Sequence, residues 1–216
     1  MGKKDKFIIQ KSGELKGSVT VSGSKNAAIP ILAASLLSQG ETVLYNVPHL
    51  TDIDVMCDIL TYLGADVSRE KDNALTIDAS SLVKNIAPYE LTSRMRGSFL
   101  VMGPLLARMK QVRLSLPGGC PIGSRPVDLH LKGFQALGAD VTKGYGFVEI
   151  SANKLVGNKI YLDFPSVGAT ENIIMAAVIA EGTTVVENAA AEPEIADLAA
   201  FKSNGCKGFR CGNGYR

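Results

Sequence analysis

The sequence predicts an α+β domain built from three pseudosymmetric repeats. The pentapeptide LGADV occurs at residues 63–67 and again at residues 137–141, which is 74 positions later. The same order of apolar and strand-like segments precedes both copies, and a third round follows them. A unit this small cannot bury both faces of its own sheet. We therefore expect the three units to share one core, with their apolar helices innermost.

Each repeat is predicted to run helix, strand, helix, strand, strand. The second helix of the first repeat shows helical spacing of Ile53, Met56 and Leu60, and the strand after the apolar segment of the second repeat alternates Val112, Leu114 and Leu116. The predicted segments are, in the first repeat, residues 27–37, 42–47, 52–63 and 75–77; in the second, residues 99–109, 112–116, 127–137 and 147–150; and in the third, residues 172–180, 183–187 and 195–201.

Composition excludes several classes of protein. The 23 basic and 21 acidic residues are spread along the chain, so neither nucleic acid nor a membrane surface is an expected partner. No apolar run is long enough for a signal peptide or a membrane span, which predicts a cytoplasmic protein. The four cysteines form no CxxC pair, so we expect no metal site and no disulfide framework.

Short polar segments stand at the start of each apolar helix, at residues 24–26, 93–96 and 166–170. Helix N-termini carry unpaired N–H groups and a partial positive charge, and a nearby Lys25 or Arg96 suits them to phosphate. Three such ends around one axis would favour a polyanionic ligand. The alternative is that the serines and threonines here only cap helices and the basic side chains are solvated.

A loop rich in proline and glycine, residues 117–126, expands the second repeat. Cys120 lies at its middle, five positions before Arg125, and a cationic neighbour lowers the pKa of a thiol. Such a cysteine can act as an acid or a nucleophile. Cys57, by contrast, lies on the apolar stripe of a predicted helix and is expected to pack in the core.

Three motifs carry a resemblance to a known family. GSKNAA at residues 23–28, LPGGCPIGSRPVDLH at residues 116–130 and SVGAT at residues 166–170 closely resemble the UDP-N-acetylglucosamine 1-carboxyvinyltransferases, which are enolpyruvyl transferases. The resemblance implies an inside-out α/β fold in which each of two domains has three repeats. It also implies transfer of the enolpyruvyl group of phosphoenolpyruvate to the 3-hydroxyl of UDP-N-acetylglucosamine, with release of phosphate, as the first committed step of peptidoglycan synthesis. No metal or organic cofactor is implied.

The resemblance also assigns roles to residues. Lys25 and Arg125 would hold the phosphate and carboxylate of phosphoenolpyruvate, with Asn26 near the sugar hydroxyl. Cys120 would be the general acid that protonates the methylene carbon, able to form a covalent adduct and to react with inhibitors of the fosfomycin type. The residues implied to line the UDP-sugar site are Arg96, Arg125, Pro126, Val127, Asp128, Leu129, Ser166, Val167 and Gly168.

The chain departs from the family pattern in length, since the family enzyme is about twice as long and takes an Asp general base from its second domain. We therefore expect residues 1–21 to be a strand segment that belongs with a missing second domain, and residues 22–201 to be the three-repeat domain. Residues 202–216 would be an aberrant tail, because shifting the reading frame of plausible codons near Lys202 restores the family sequence MGAKVSGAGTDT.

A truncated chain of this kind is expected to be inactive on its own, since catalysis needs two domains to close over the substrates. Two alternatives stay open. One is a non-catalytic fragment that binds the UDP-sugar, and the other is an enolpyruvyl transferase acting on shikimate phosphate, against which Cys120 argues.

Overall fold

A computed structural model of the protein describes residues 6–116 and 127–203. Helices and strands follow one another in three units, each with its own small sheet. The α+β class and the three repeats predicted from the sequence are confirmed. No helix in the described part of the chain is long and apolar enough to cross a bilayer.

The first repeat packs two helices beside a three-stranded antiparallel sheet in the order β1-β3-β2. Its second helix ends at Gly64, where φ is 109° and glycine is favoured because it has no Cβ. This is the glycine of the first LGADV, so the repeated motif marks the end of a helix. The elements are α1 Lys25–Ser35, β1 Glu41–Leu44, α2 Thr51–Leu63, β2 Asp66–Arg69 and β3 Leu75–Asp78.

The second repeat has a four-stranded sheet in the order β4-β5-β7-β6, in which β4 and β5 are parallel. Its apolar helix begins with a 3-10 turn, Arg96–Val101, that continues directly into an α-helix. The other elements are β4 Ile86–Ala87, α3 Tyr89–Thr92, α4 Met102–Met109, β5 Gln111–Ser115, α5 Asp128–Ala136, β6 Asp140–Gly144 and β7 Phe147–Ser151.

The third repeat contains a parallel pair of strands, β8 with β9. Its elements are β8 Lys159–Tyr161, α6 Val167–Ala177, β9 Val185–Glu187 and α7 Pro193–Ser203. Residues 6–21, before the first repeat, form neither helix nor strand, and Phe7, Val19 and Val21 are exposed there.

Two strands were not predicted. β4 and β8 each precede the apolar helix of their repeat and run parallel to the strand that follows it. They contain two and three residues, and each buries a single apolar side chain, Ala87 or Ile160. Alternation needs at least four residues to be recognised, so strands this short leave no periodic signal.

The apolar helices α4 and α6 lie at the centre of the molecule, as predicted. All six residues from Met102 to Ala107 are buried, as are the eight from Ala169 to Ala176. Burial of a large aliphatic side chain stabilises a fold by about 1.5–3 kcal/mol, so two fully buried helices supply much of the driving force. They leave almost no helix surface for water.

Arg108, near the end of α4, joins the second repeat to the first. Its Nη1 donates to the carbonyls of Leu36, Ser38 and Ala79, at 2.9, 2.7 and 2.7 Å. Partial burial lowers the pKa of its guanidinium from the ordinary value. The contacts satisfy backbone oxygens beyond the end of α1 and after β3, so a single side chain fixes how two repeats meet.

Asn172 joins the second and third repeats at the middle of the core. Its side chain is fully buried in α6, and Oδ1 accepts a hydrogen bond from the backbone N–H of Gly103 at 2.8 Å. Nδ2 donates to the carbonyl of Phe99 at 3.1 Å and lies 2.9 Å from Nδ1 of His130. A Cβ on Gly103 would come within 2.5 Å of the Asn172 backbone oxygen, so the close approach of α4 and α6 requires glycine there.

Replacing Asn172 by Leu should destabilise the protein by about 3 kcal/mol, because Gly103 and Phe99 would keep buried backbone groups without partners. Urea denaturation followed by circular dichroism measures the change. The matched control is Asn158→Leu, which removes the exposed hydrogen bond from Asn158 to the carbonyl of Ala136. It should cost less than about 1 kcal/mol. Equal losses in the two variants would contradict the role given to Asn172.

Candidate functional site

The starts of the three apolar helices meet at one cavity of about 860 Å³, a size typical of small-molecule sites. α1 contributes Lys25 and Asn26, the 3-10 turn before α4 contributes Arg96, and α6 contributes Val167 and Gly168. The three polar segments that recur in the sequence are therefore neighbours in space. Each helix start presents the positive end of its dipole to the same volume.

Serine side chains cap two of these helices. Ser24 Oγ accepts from the backbone N–H of Ala27 at 3.3 Å, and Ser166 Oγ accepts from that of Ala169 at 3.4 Å. Met95, which precedes the 3-10 turn, makes no side-chain cap. Capping and anion binding are compatible here, because each serine uses one N–H and the others in the first turn remain for a ligand.

Basic side chains occupy the side of the cavity formed by the first two repeats. Lys25 Nζ lies 2.7 Å from Oδ2 of Asp52, at the start of α2. Arg94 Nη1 lies 2.9 Å from Oδ2 of Asp58, and both side chains of that pair are about half exposed. Exposed ion pairs contribute about 0–1 kcal/mol, so a bound anion can compete with the carboxylates for both cations.

His130 forms part of the cavity wall and is neutral at physiological pH. Burial, together with the nearby Arg96 charge, lowers the pKa of its imidazole to about 4. The amide of Asn172 fixes the tautomer: its Oδ1 is occupied by Gly103, so the donor Nδ2 faces Nδ1 of the ring. Nδ1 must accept, and the proton is on Nε2. The ring also packs edge-to-face on Phe99, with centroids 5.1 Å apart.

Carboxyl groups line the third-repeat side. Glu171, one turn into α6, is only 3% exposed, and Glu194 at the start of α7 lines the same cavity. Burial raises the pKa of the Glu171 carboxyl to about 8, with smaller contributions from the charges of Glu194 and Glu192. Among the described residues, no group of histidine, cysteine, aspartate or glutamate side chains is arranged to hold a metal ion.

The structure brings most of the described residues that the sequence singled out to this cavity. Those lining it are Lys25, Asn26, Arg96, Val127, Ser166, Val167 and Gly168. Asp128 instead pairs with Lys143 at 2.8 Å, and Leu129 packs in the core. Cys120, Arg125 and Pro126 lie outside the described residues.

Sequence reasoning missed four titratable residues of the cavity: Asp52, His130, Glu171 and Glu194. Asp52 pairs with Lys25 although the two residues are 27 positions apart in the sequence, so no local pattern predicts the contact. Glu171 reads as an ordinary helical glutamate. One signal was available: a charged residue inside the apolar segment that runs from Ala169 to Ala177 is out of place unless it serves a site.

Comparison with known proteins places the chain in a family. Residues 9–203 match the profile of the EPSP synthase (3-phosphoshikimate 1-carboxyvinyltransferase) family. The chain belongs to the EPSP synthase family. Its match covers the three repeats and the cavity between them, so the repeats counted from the sequence are those of the family.

Curated relatives of the chain include UDP-N-acetylglucosamine 1-carboxyvinyltransferases. The chain is 58% identical over 200 residues to such a protein of Caldanaerobacter subterraneus subsp. tengcongensis, covering 92% of this chain and 47% of the relative. It is 56% identical over 200 residues to such a protein of Carboxydothermus hydrogenoformans, covering 93% of this chain and 48% of the relative. The chain thus spans about half the length of the curated relatives it matches.

Solved structures of this family share the fold. The enolpyruvyl transferase NikO from Streptomyces tendae superposes with a TM-score of 0.77 at 23% identity, covering 88% of this chain and 44% of NikO. EPSP synthase from Acinetobacter baumannii superposes with a TM-score of 0.66 at 22% identity, covering 82% of this chain and 41% of that protein. At such identities the likeness establishes the architecture alone.

The pKa of His130 leads to a prediction about acid stability. Between its ordinary pKa of 6.5 and its folded value of about 4, the unfolded chain binds more protons than the folded protein. Stability should therefore fall as the pH drops through that range, by about 3 kcal/mol at most. His130→Asn, which keeps an acceptor for Asn172, should lose less stability over the same range. Urea denaturation at several pH values measures the difference between the two proteins, and parallel curves would contradict the assignment.

Proposed function

We propose that the complete protein transfers the enolpyruvyl group of phosphoenolpyruvate to the 3-hydroxyl of UDP-N-acetylglucosamine and releases phosphate. The observation that carries this proposal is the convergence of three helix N-termini and of Lys25 and Arg96 on one cavity. Both substrates are polyanions, and helix N-termini with basic side chains are suited to phosphate groups. The identity of 51–58% to UDP-N-acetylglucosamine 1-carboxyvinyltransferases supports UDP-N-acetylglucosamine as the acceptor over shikimate phosphate.

In the proposed reaction, protonation of the methylene carbon of phosphoenolpyruvate leaves a cation-like carbon that the sugar hydroxyl attacks. Cys120 is proposed as the proton donor, and the attacking hydroxyl gives up its own proton to a base. The later loss of phosphate, together with one proton from the new methyl group, restores the enolpyruvyl double bond. Lys25 would stabilise the phosphate as its charge changes, after exchanging its carboxylate partner Asp52 for the substrate. Arg125 would hold the phosphoenolpyruvate carboxylate, and Asn26 would contact the sugar hydroxyl.

The UDP-sugar is proposed to lie along the starts of the second and third helices. The residues that would contact it are Arg96, Arg125, Pro126, Val127, Asp128, Leu129, Ser166, Val167 and Gly168. A protein with this function would act in the cytoplasm, in peptidoglycan synthesis and so in cell-wall formation, cell shape and division. No nucleic acid or membrane partner is proposed.

The domain organisation is also a proposal. Residues 22–201 would form the substrate-binding domain, residues 1–21 would pack with a second domain, and the tail from 202 to 216 would arise from a frameshift. The chain covers about half of each curated relative, which supports a division of this kind. UDP-sugar binding without turnover is the activity proposed for this 216-residue chain alone.

Calorimetry with UDP-N-acetylglucosamine tests the site in the 216-residue chain. We expect binding in the wild type, and about tenfold weaker binding after Arg96→Gln, because one charge-assisted hydrogen bond to the ligand is lost. The matched control is Arg113→Gln, since Arg113 stacks on Phe147, 3.7 Å from the ring centroid and away from the cavity. Equal affinity in all three proteins would contradict the proposed site.

A phosphate-release assay with both substrates should show no turnover at a normal enzymatic rate by this chain alone.

Fosfomycin provides a separate test of Cys120. We expect a covalent adduct on Cys120 in the presence of UDP-N-acetylglucosamine, detected by peptide mass spectrometry and abolished in Cys120→Ser. Cys57 is the internal control, because burial raises the pKa of its thiol to about 11 and the reactive thiolate is therefore scarce. An adduct on Cys57 with none on Cys120 would refute the role proposed for Cys120.

A further inference from the structure

Glu171 is a buried carboxyl group at the cavity wall, and among residues 6–116 and 127–203 its side chain has no hydrogen-bond or ion-pair partner. Glu171 is only 3% exposed, and it lines the cavity. Within residues 6–116 and 127–203, none of the side-chain hydrogen bonds or ion pairs involves its carboxyl oxygens. It lies four positions after Val167 and three after Gly168, so the three residues share one face of α6. That face begins at the proposed UDP-sugar site.

Only 3% of the Glu171 surface is exposed, so its carboxyl has lost most of its hydration, and this loss is unfavourable unless another group replaces the water. Glu171 could have been satisfied by a neighbour, as Asn172 beside it is. Instead Glu171 lines the cavity, where a ligand can supply a partner. The group is also adjacent to two other carboxyls, Glu192 and Glu194, which disfavour its charged form.

Charge is unevenly distributed around the cavity. The titratable and charged groups around it are Lys25 from α1, its ion-pair partner Asp52 from α2, Arg94 and Arg96 from the second repeat, His130 from α5, Glu171 from α6, Glu192 just before α7 and Glu194 at the start of α7. The basic groups suit the anionic part of a ligand. The carboxyls are unsuited to phosphate, and a protonated carboxyl offers one donor and one acceptor to a neutral hydroxyl or amide.

We propose that Glu171 is a specificity-determining residue that hydrogen-bonds a neutral donor–acceptor group, a hydroxyl or the acetamido group, on the sugar of the UDP-sugar substrate. This inference rests on the proposed function and adds a second recognition element to it. The basic half of the cavity binds the phosphates, and Glu171 distinguishes a UDP-sugar from UDP. Ionisation of Glu171 removes its donor and adds negative charge beside a dianionic ligand, so binding should weaken in alkali.

Calorimetry with UDP-N-acetylglucosamine and with UDP, on the 216-residue chain, tests the inference. Glu171→Leu keeps the approximate size of the side chain and removes its hydrogen bonds. We expect it to weaken UDP-N-acetylglucosamine binding about tenfold and to leave UDP binding within about twofold. The matched control is Glu181→Leu, since Glu181 pairs with Lys154 at the surface. That variant should bind both ligands as the wild type does.

A pH series adds a readout that a purely structural role would not change. Between about pH 6.5 and about pH 8.5 the wild type should lose roughly fourfold in affinity for UDP-N-acetylglucosamine, since a carboxyl with a pKa of about 8 becomes mostly ionised. Glu171→Gln keeps a donor and an acceptor and cannot ionise. It should bind like the wild type at the lower pH and show a flat profile.

The outcomes separate the two proposals. If the wild type does not bind UDP-N-acetylglucosamine, the proposed function is wrong and this inference fails with it. Two outcomes would overturn the inference alone. In the first, Glu171→Leu binds UDP-N-acetylglucosamine as tightly as the wild type does. In the second, the substitution weakens UDP binding as much as UDP-N-acetylglucosamine binding. Should Glu171→Leu fail to fold, Glu171→Gln still decides the matter, because a pH profile identical to that of the wild type would contradict the role of Glu171.

Discussion

The side-chain amide of Asn172 is the contact on which the site geometry depends. It is buried between α4 and α6, and it reaches α5 through His130. A buried amide must satisfy both its oxygen and its nitrogen, and only one relative placement of the helices allows this. Close packing alone would tolerate small shifts along the helix axes. The hydrogen bonds to Gly103 and Phe99 do not, so the helix starts that form the cavity are held in one position.

The cavity combines groups that are unfavourable for stability. Burial lowers the pKa of His130 and raises that of Glu171, so both side chains are mainly uncharged at neutral pH although each would be charged or partly charged in water. In the neutral forms the carboxyl has one donor O–H, and the imidazole has one donor and one acceptor nitrogen. Lys25 is paired with Asp52 on the side of the cavity formed by the first repeat. The apolar burial of α4 and α6 offsets these costs.

Repetition explains how a binding site arises from units that each lack one. A single repeat supplies one helix start, with an N–H cluster and at most two cationic side chains. Three repeats around a common core bring three such helix starts together. Hydrogen bonds of Arg108 and Asn172 connect neighbouring repeats. The repeats contribute different side chains: Lys25 with its partner Asp52 comes from the first, Arg94 and Arg96 come from the second, and Glu171 and Glu194 come from the third. This difference gives the cavity its two chemically different halves.

The sequence by itself determined the repeats, their helices and most of their strands, because apolar periodicity and the LGADV caps are local signals. It also identified Lys25, Arg96 and Ser166 as a recurring set at helix starts. Only the tertiary structure decided that these meet, that Asp52 faces Lys25, and that Glu171 lies at the cavity wall without a side-chain partner in the described part of the chain. The short strands β4 and β8 likewise form because a neighbouring strand is present. Such features depend on contacts between residues far apart in the chain, and a local pattern carries no information about burial or partners.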